Sequence, residues 1–196
     1  MGGGIVGLAI SKEELAELPL ETFKGEIVVV DHVGEIRQAC HYLSSHGALG
    51  FDTETRPAFK RGQINKVALV QLSTEEVCFL FRLNKIGYPD ELERILSDPG
   101  IKKIGLSLRD DFAALRKRSG RKPENFIDLQ GFVDQFGIED NSLQKIYAIL
   151  FGKKISKNQR VSNWEAETLT PAQQSYAAID AWACLRIYNH LIRTER

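Results

Sequence analysis

The order in which hydrophobic patterns follow one another along this chain restricts its fold more than any single motif does. Glu26–Val30, Ala48–Glu54, Lys66–Ser73 and Val77–Leu83 are apolar or β-branched runs that read as strands, the last two as part of a hairpin or meander. From Pro89 the pattern changes. Glu91–Leu96 and Asp111–Arg118 read as helices, and Lys103–Leu106 and Phe126–Leu129 as short strands between them. Beyond Gly131 the chain reads as mostly helix, with Leu143, Ile146, Leu150 and Phe151 at helical spacing, and Thr170-Pro171 as cap and first-turn proline of a last helix. Strands first, then alternation, then helices predicts an α/β architecture: a mixed central β-sheet flanked by helices, with a mostly helical C-terminal half. Two further helix starts are expected. Ser11 with Glu14 forms a capping box before Pro19, and Asp31 caps an amphipathic helix that carries Ile36, Cys40 and Leu43 on one face and ends at Gly47.

No internal repeat or linker interrupts the 196 residues, which predicts a single domain over 24–196 preceded by a leader and short helix over 1–23. The leader, Met1–Ile10, has no basic n-region or small-residue cleavage site, and Val6 stands where a myristoylation signal needs Ser or Thr. A hydrophobic fraction of 43% with balanced charge excludes intrinsic disorder. No apolar run approaches the ~20 residues that cross a bilayer, so no membrane partner is expected. Cys40, Cys78 and Cys184 are far apart, in apolar surroundings and without metal-ligand spacing; three buried thiols suit a reducing, cytoplasmic location. The balance of 26 basic against 26 acidic residues argues, taken alone, against a nucleic-acid partner.

Three acidic features bear on chemistry. In Leu49-Gly50-Phe51-Asp52-Thr53-Glu54-Thr55, the two carboxylates at i and i+2 project from one face at the end of an apolar strand. Like charges held that close retain protons unless a cation lies between them, and Mg²⁺ or Mn²⁺ is the natural partner for carboxylate oxygens. Asp110 and Asp111 follow the strand around Ile104, where acids also serve a helix N-terminus. In Tyr176-Ala177-Ala178-Ile179-Asp180 the phenol and the carboxylate share a helix face, with alanines leaving room for close packing. Each alone is ordinary: a strand end in solvent, a cap, a surface acid beside a half-buried ring. His32, His41, His46 and His190 are scattered, and no Ser-His-Asp set, phosphate-binding glycine loop or dinucleotide fingerprint occurs.

Together, the order Asp-x-Glu, Asp, Tyr-x-x-x-Asp resembles the DEDD superfamily of 3′–5′ exonucleases in its tyrosine branch, from about Gly50 to Asn189. It is most similar to Werner-type and ribonuclease D-like domains. Lys66–Leu72, Asn141-Ser142-Leu143, Leu150-Phe151-Gly152-Lys153 and Ser162-Asn163-Trp164 carry the resemblance too. The resemblance implies a ribonuclease H-like exonuclease fold and two Mg²⁺ or Mn²⁺ ions held by Asp52, Glu54, Asp111 and Asp180. Asp52 would bridge both ions, Glu54 and Asp180 would complete the nucleophile-side ion, and Asp111 would serve the other through water. Tyr176 and Glu54 would orient the attacking water. Two such cations, about 4 Å apart, activate water and steady the leaving oxygen of a phosphodiester.

The second motif departs from the family's Gly-x-Gly-x-x-x-Asp, because Ser107 replaces its second glycine. Gapless alignment selects Asp111, a slip of one residue selects Asp110, and Leu115 four residues after Asp111 favours the former. Ser175 stands where the histidine branch carries its His, and Arg56 where several relatives carry Trp.

Basic residues are clustered. Lys60 and Arg61 in the loop after Asp-x-Glu, and Lys153, Lys154, Lys157 and Arg160 before Ser162-Asn163-Trp164, are candidate phosphate contacts; Phe59 or Trp164 is a candidate for base stacking, and Trp164 equally for the core. The Arg116–Lys122 run reads as a solvated face. The expected activity is a two-metal 3′–5′ exonuclease acting on DNA ends, with a helicase or repair partner supplied in trans. A ribonuclease D-like exoribonuclease and a non-catalytic nucleic-acid-binding domain are the alternatives. Cations bound to four acids also change the charge balance, which describes only the metal-free chain.

Overall fold

A computed structural model describes residues 9–195, so Met1–Leu8 of the expected leader lie outside the described residues. Six strands form one sheet: β1 (Glu26–Val30), β2 (Ala48–Thr55), β3 (Val67–Ser73), β4 (Val77–Arg82), β5 (Lys102–Gly105) and β6 (Phe126–Asp128), in the order β1-β4-β3-β2-β5-β6. β2, β3 and β4 form an antiparallel meander; β1 joins β4 in parallel, and β5 and β6 extend the other side in parallel with β2. The sheet is therefore mixed. β3 is buried at every position, which is why it reads as a continuous apolar run.

The helices are α1 (Lys12–Glu17), α2 (Val33–Ser44), α3 (Leu83–Ile86), α4 (Asp90–Ser97), α5 (Leu108–Arg116), α6 (Leu129–Val133), α7 (Leu143–Phe151) and α8 (Pro171–Thr194). α2, α4 and α5 bury Ile36, Leu43, Ile95 and Leu115 against Phe51, Val70, Leu72 and Phe81 on one face of the sheet. α7 and α8 close the other face through Ile146, Tyr147, Ile179 and Ala181. The period-two alternation of β2 divides its residues between these layers. Leu49 and Phe51 enter the first core, and Gly50 meets α8: a Cβ built there would lie 1.9 Å from the Ala181 carbonyl oxygen. Asp52 and Glu54 continue the Gly50 face.

Some local expectations need correction. α2 starts after His32, which makes no side-chain cap bond, rather than at Asp31, and its C-cap is Ser45, not Gly47. α5 begins at Leu108 because its N-terminus is capped from a distant strand: Asp128, at the end of β6, accepts from the Ser107 and Leu108 N–H groups at 3.0 Å each. Residues 152–170 contain no helix. The part of the 1–23 leader that is described does not hang free: the Ile10 N–H donates to Asp140 at 3.0 Å. Among the described residues no helix is long and apolar enough to cross a membrane.

Candidate active site

The acids converge because of strand direction. β2 and β5 run parallel, so their carboxyl ends open on the same edge of the sheet, where α/β folds place ligands. Asp52 and Glu54 lie at the end of β2, and the register with β3 shifts between Glu54 and Thr55, a bulge-like irregularity next to the acids. Asp111 follows β5 in the first turns of α5. Asp180 comes from α8, brought against β2 by Gly50 and Ala181. One carboxylate oxygen from each of Asp52, Glu54 and Asp180 lies within 4.8 Å of the others.

Asp111 joins them indirectly. Thr53 faces the α5 side of β2, and its hydroxyl donates to the Asp111 carboxylate. Asp110 is exposed, whereas Asp111 contributes to the charge felt by both Asp52 and Glu54. The Ser107 backbone is left-handed, φ 56 and ψ 52, the conformation glycine favours, so the position the family gives to glycine asks for one here as well.

Electrostatically the cluster is frustrated. Burial, then the charges of Glu54, Asp180 and Asp111, push the Asp52 carboxyl well above the usual range. Burial and Asp180 raise Glu54 to about 9, against a hydrogen bond from Gln71. Burial raises Asp180 to about 7, opposed by Lys157, and raises Asp111 to about 6, opposed by the Thr53 hydroxyl. Among the described residues, Asp180 Oδ1 is buried with no hydrogen-bond partner. Three convergent carboxylates, one with an orphaned oxygen, suit a hard divalent cation, which supplies the missing partner and the missing positive charge.

A carboxyl with a higher pKa folded than unfolded binds its proton more tightly when folded. Its contribution is complete below the unfolded value and lost as pH rises through the folded one. The metal-free protein should therefore lose stability from the unfolded values, 3.8 for Asp and 4.5 for Glu, upward through about 6, 7 and 9. Melting scans at about pH 5.5 and about pH 8.5, with chelator or with Mn²⁺, check this. Mn²⁺ should raise Tm far more at the higher pH, and equal gains at both would contradict it.

Tyr176 is buried beside these acids, and burial with the charges of Asp180, Glu54 and Asp52 keeps its phenol protonated. Asp52, Tyr176 and Asp180 open into a cleft of about 370 Å³ that is also lined by Asn141, Ser142, Lys157 and Arg160. Lys60 and Arg61 are exposed on the loop between β2 and β3. That loop is pinned at its base by Asn65, which donates to the Arg56 and Pro57 carbonyls at 2.8 and 3.2 Å. Arg56 reaches Glu165 of the 152–170 segment at 3.7 Å.

Three expected nucleic-acid contacts are placed elsewhere. Trp164 is 0% exposed and packs on Tyr176 with ring centroids 5.9 Å apart, so its face supports the tyrosine and offers nothing to a base. Lys153 and Lys154 turn to the N-terminal segment, Lys153 to Glu21 at 3.4 Å and Lys154 to the Ala16 carbonyl. The run from 153 to 160 therefore divides, with only its second half in the cleft. Thr53, Gln71 and Asp128 were not singled out from the sequence. Their roles depend on strand faces and on pairing across the sheet, and a lone Thr, Gln or Asp carries no local signal of either.

The 3′–5′ exonuclease family model matches residues 27–194. The chain is 33% identical over 188 residues to the bifunctional 3′–5′ exonuclease/ATP-dependent helicase WRN of Mus musculus, which covers 89% of this chain and 13% of that relative. In structure it resembles the Nibbler EXO domain of Aedes aegypti, with a TM-score of 0.77 at 21% identity over 88% of this chain and 91% of the other. It also resembles RNase D of Escherichia coli, an exoribonuclease, with a TM-score of 0.73 at 23% identity over 87% of this chain and 45% of that one. These neighbours share the ribonuclease H-like exonuclease fold, and the family works with divalent metal ions. The chain thus spans a small part of WRN and about half of RNase D. A match running from β1 to the end of α8, around a carboxylate cluster of the family's kind, means that this chain belongs to the 3′–5′ exonuclease family.

Proposed function

We propose that this chain is a two-cation 3′–5′ exonuclease that uses Mg²⁺ or Mn²⁺ to release nucleotides from the 3′ ends of DNA. One observation carries the reading: Asp52, Glu54 and Asp180 converge on a space where Asp180 Oδ1 has no partner among the described residues, beside a cleft that also holds Tyr176, Lys157 and Arg160. The cations, when bound, lower the pKa of a water and stabilise negative charge on the phosphodiester. The side chains do the rest. Asp52, Glu54 and Asp180 are the direct holders, and Asp111, oriented by Thr53, completes the acid set. Protonated Tyr176, fixed by Trp164, can donate to a water and hold its direction of attack. Lys157 and Arg160 offer counter-charges to the phosphates on the 5′ side of the scissile one. Likeness to an exonuclease linked to a helicase favours DNA and a helicase or repair partner in trans.

Digestion of 5′-labelled single-stranded DNA, recessed duplex DNA and RNA, with each metal in turn, tests the reading. The expected product is a ladder shortening from the 3′ end of DNA. A ladder from RNA alone would assign the ribonuclease D-like activity, and none from any substrate would leave a binding domain. Tyr176→Phe should lower kcat by about 100-fold while Mn²⁺ affinity, read by calorimetry, stays near wild type. Loss of metal binding in that variant would make the phenol structural.

A further inference from the structure

We propose that residues 10–22 form a positioning strap that holds both walls of the active cleft, with Glu21 as its anchor. The inference rests on the functional reading above, since it needs Lys157 and Arg160 to face substrate. α1 has no fully buried residue, so it adds little to the hydrophobic core. The segment is held instead by polar contacts, chiefly at its two ends, with the Lys154 ammonium donating to the Ala16 carbonyl between them. At one end the Ile10 N–H donates to Asp140 at 3.0 Å, and Asp140 immediately precedes Asn141 and Ser142 of the cleft wall.

At the other end the strap pairs with Lys154 like a short parallel strand. The Lys154 N–H donates to the Pro19 carbonyl at 2.9 Å, and the Glu21 N–H to the Lys154 carbonyl at 2.8 Å. Three residues further on is Lys157, and then Arg160, both lining the cleft. The strap thus grips the chain just before α7 and just after it, at the points from which both cleft walls depart.

Glu21 explains why the grip is selective. The residue is only 4% exposed. It accepts from the Tyr147 hydroxyl at 2.6 Å, Arg186 at 3.1 Å and Lys153 at 3.4 Å, so it ties the strap to α7, to α8 and to the start of the 152–170 segment together. A carboxylate this buried is tolerable only while those donors keep their places. The network therefore admits one arrangement of Lys153-Lys154 relative to α8, which carries Asp180. The family match begins at residue 27, beyond the strap.

The test uses the full chain with Glu21→Gln and, as the milder variant, Tyr147→Phe. Three quantities are read: KM and kcat on a 5′-labelled DNA oligonucleotide, hydrolysis of the p-nitrophenyl ester of thymidine 5′-monophosphate, and amide exchange over 140–144 and 153–162. The small ester needs the acid cluster but has no further phosphates to reach the strap-held wall. Glu21→Gln should raise the oligonucleotide KM about five- to tenfold with kcat within about twofold. The ester rate should stay unchanged and exchange should quicken in the two named segments, with Tyr147→Phe moving the same way by less. Unchanged KM and exchange would overturn the proposal. So would an equal loss on the ester, which would mean that Glu21 supports the whole fold. If the wild type cleaves nothing, the functional reading fails. Exchange then decides the strap: faster exchange confined to those segments supports it, and no change overturns it.

Discussion

Asp52→Asn is expected to lower exonuclease turnover by on the order of 10³-fold or more, while the metal-free variant melts no lower than the wild type. Both halves follow from one side chain. Asp52 lies beside Glu54 and Asp180, and its carboxyl is held well above the usual range by burial and by those neighbours. In the proposed scheme it would hold the cations together with Glu54 and Asp180. Asparagine keeps the shape, and its oxygen can still accept the Thr53 N–H that Asp52 takes at 2.9 Å, so the fold loses little. What it removes is a carboxyl whose ionisation is opposed by burial and by three neighbouring acids, an unfavourable feature of the metal-free chain as pH rises. Turnover measured beside Tm and Mn²⁺ titration separates the two roles. An Asp52→Asn enzyme retaining a tenth or more of wild-type turnover would sink the two-cation assignment, and a large fall in Tm would recast Asp52 as structural.

Gly50→Ala should have the next largest effect, although residue 50 touches no substrate. The added methyl would sit 1.9 Å from the Ala181 carbonyl oxygen and 2.7 Å from its carbonyl carbon. The obstacle is helix backbone, which cannot swing aside as the end of a long side chain can. α8 must therefore move off β2. Forcing a methyl into a closed contact costs about 3 kcal/mol, roughly 6–12 °C in Tm for a chain of this size. The neighbour of Ala181 is Asp180, so the same displacement draws one carboxylate away from Asp52 and Glu54. Activity should fall more than unfolding alone explains, with Mn²⁺ binding weakened at temperatures where the variant is fully folded. Wild-type Tm and metal affinity in Gly50→Ala would mean that helix and strand are not in the contact described.

The acids were legible along the chain because their spacings are local. Asp52 and Glu54 share a face by strand alternation, and Tyr176 and Asp180 by one helical turn. Basic residues were harder to read, since a run of charge says nothing about which way a loop faces. Lys153, Lys154, Lys157 and Arg160 look alike in sequence. The first two bind the N-terminal segment and the last two line the cleft. Trp164 failed for a related reason: an aromatic ring suits a base or a core equally well, and only its packing on Tyr176 distinguishes them. The early start of α5 was hidden because its cap, Asp128, is supplied from another strand.

Periodicity was enough for the α/β class and the succession of most strands and helices, while the assignment of four acids and a tyrosine rested on a family resemblance carried by motif spacing. These are properties of neighbouring residues, set by backbone geometry wherever the chain lies. The choice of Asp111 over Asp110 gained its physical basis from Thr53, the approach of Asp180 to β2 from the missing side chain at Gly50, and the division of the lysines from Glu21. Each depends on groups far apart in the chain meeting at a few ångströms. Burial, charge repulsion and carbonyl clashes act at that range, and no local pattern encodes them.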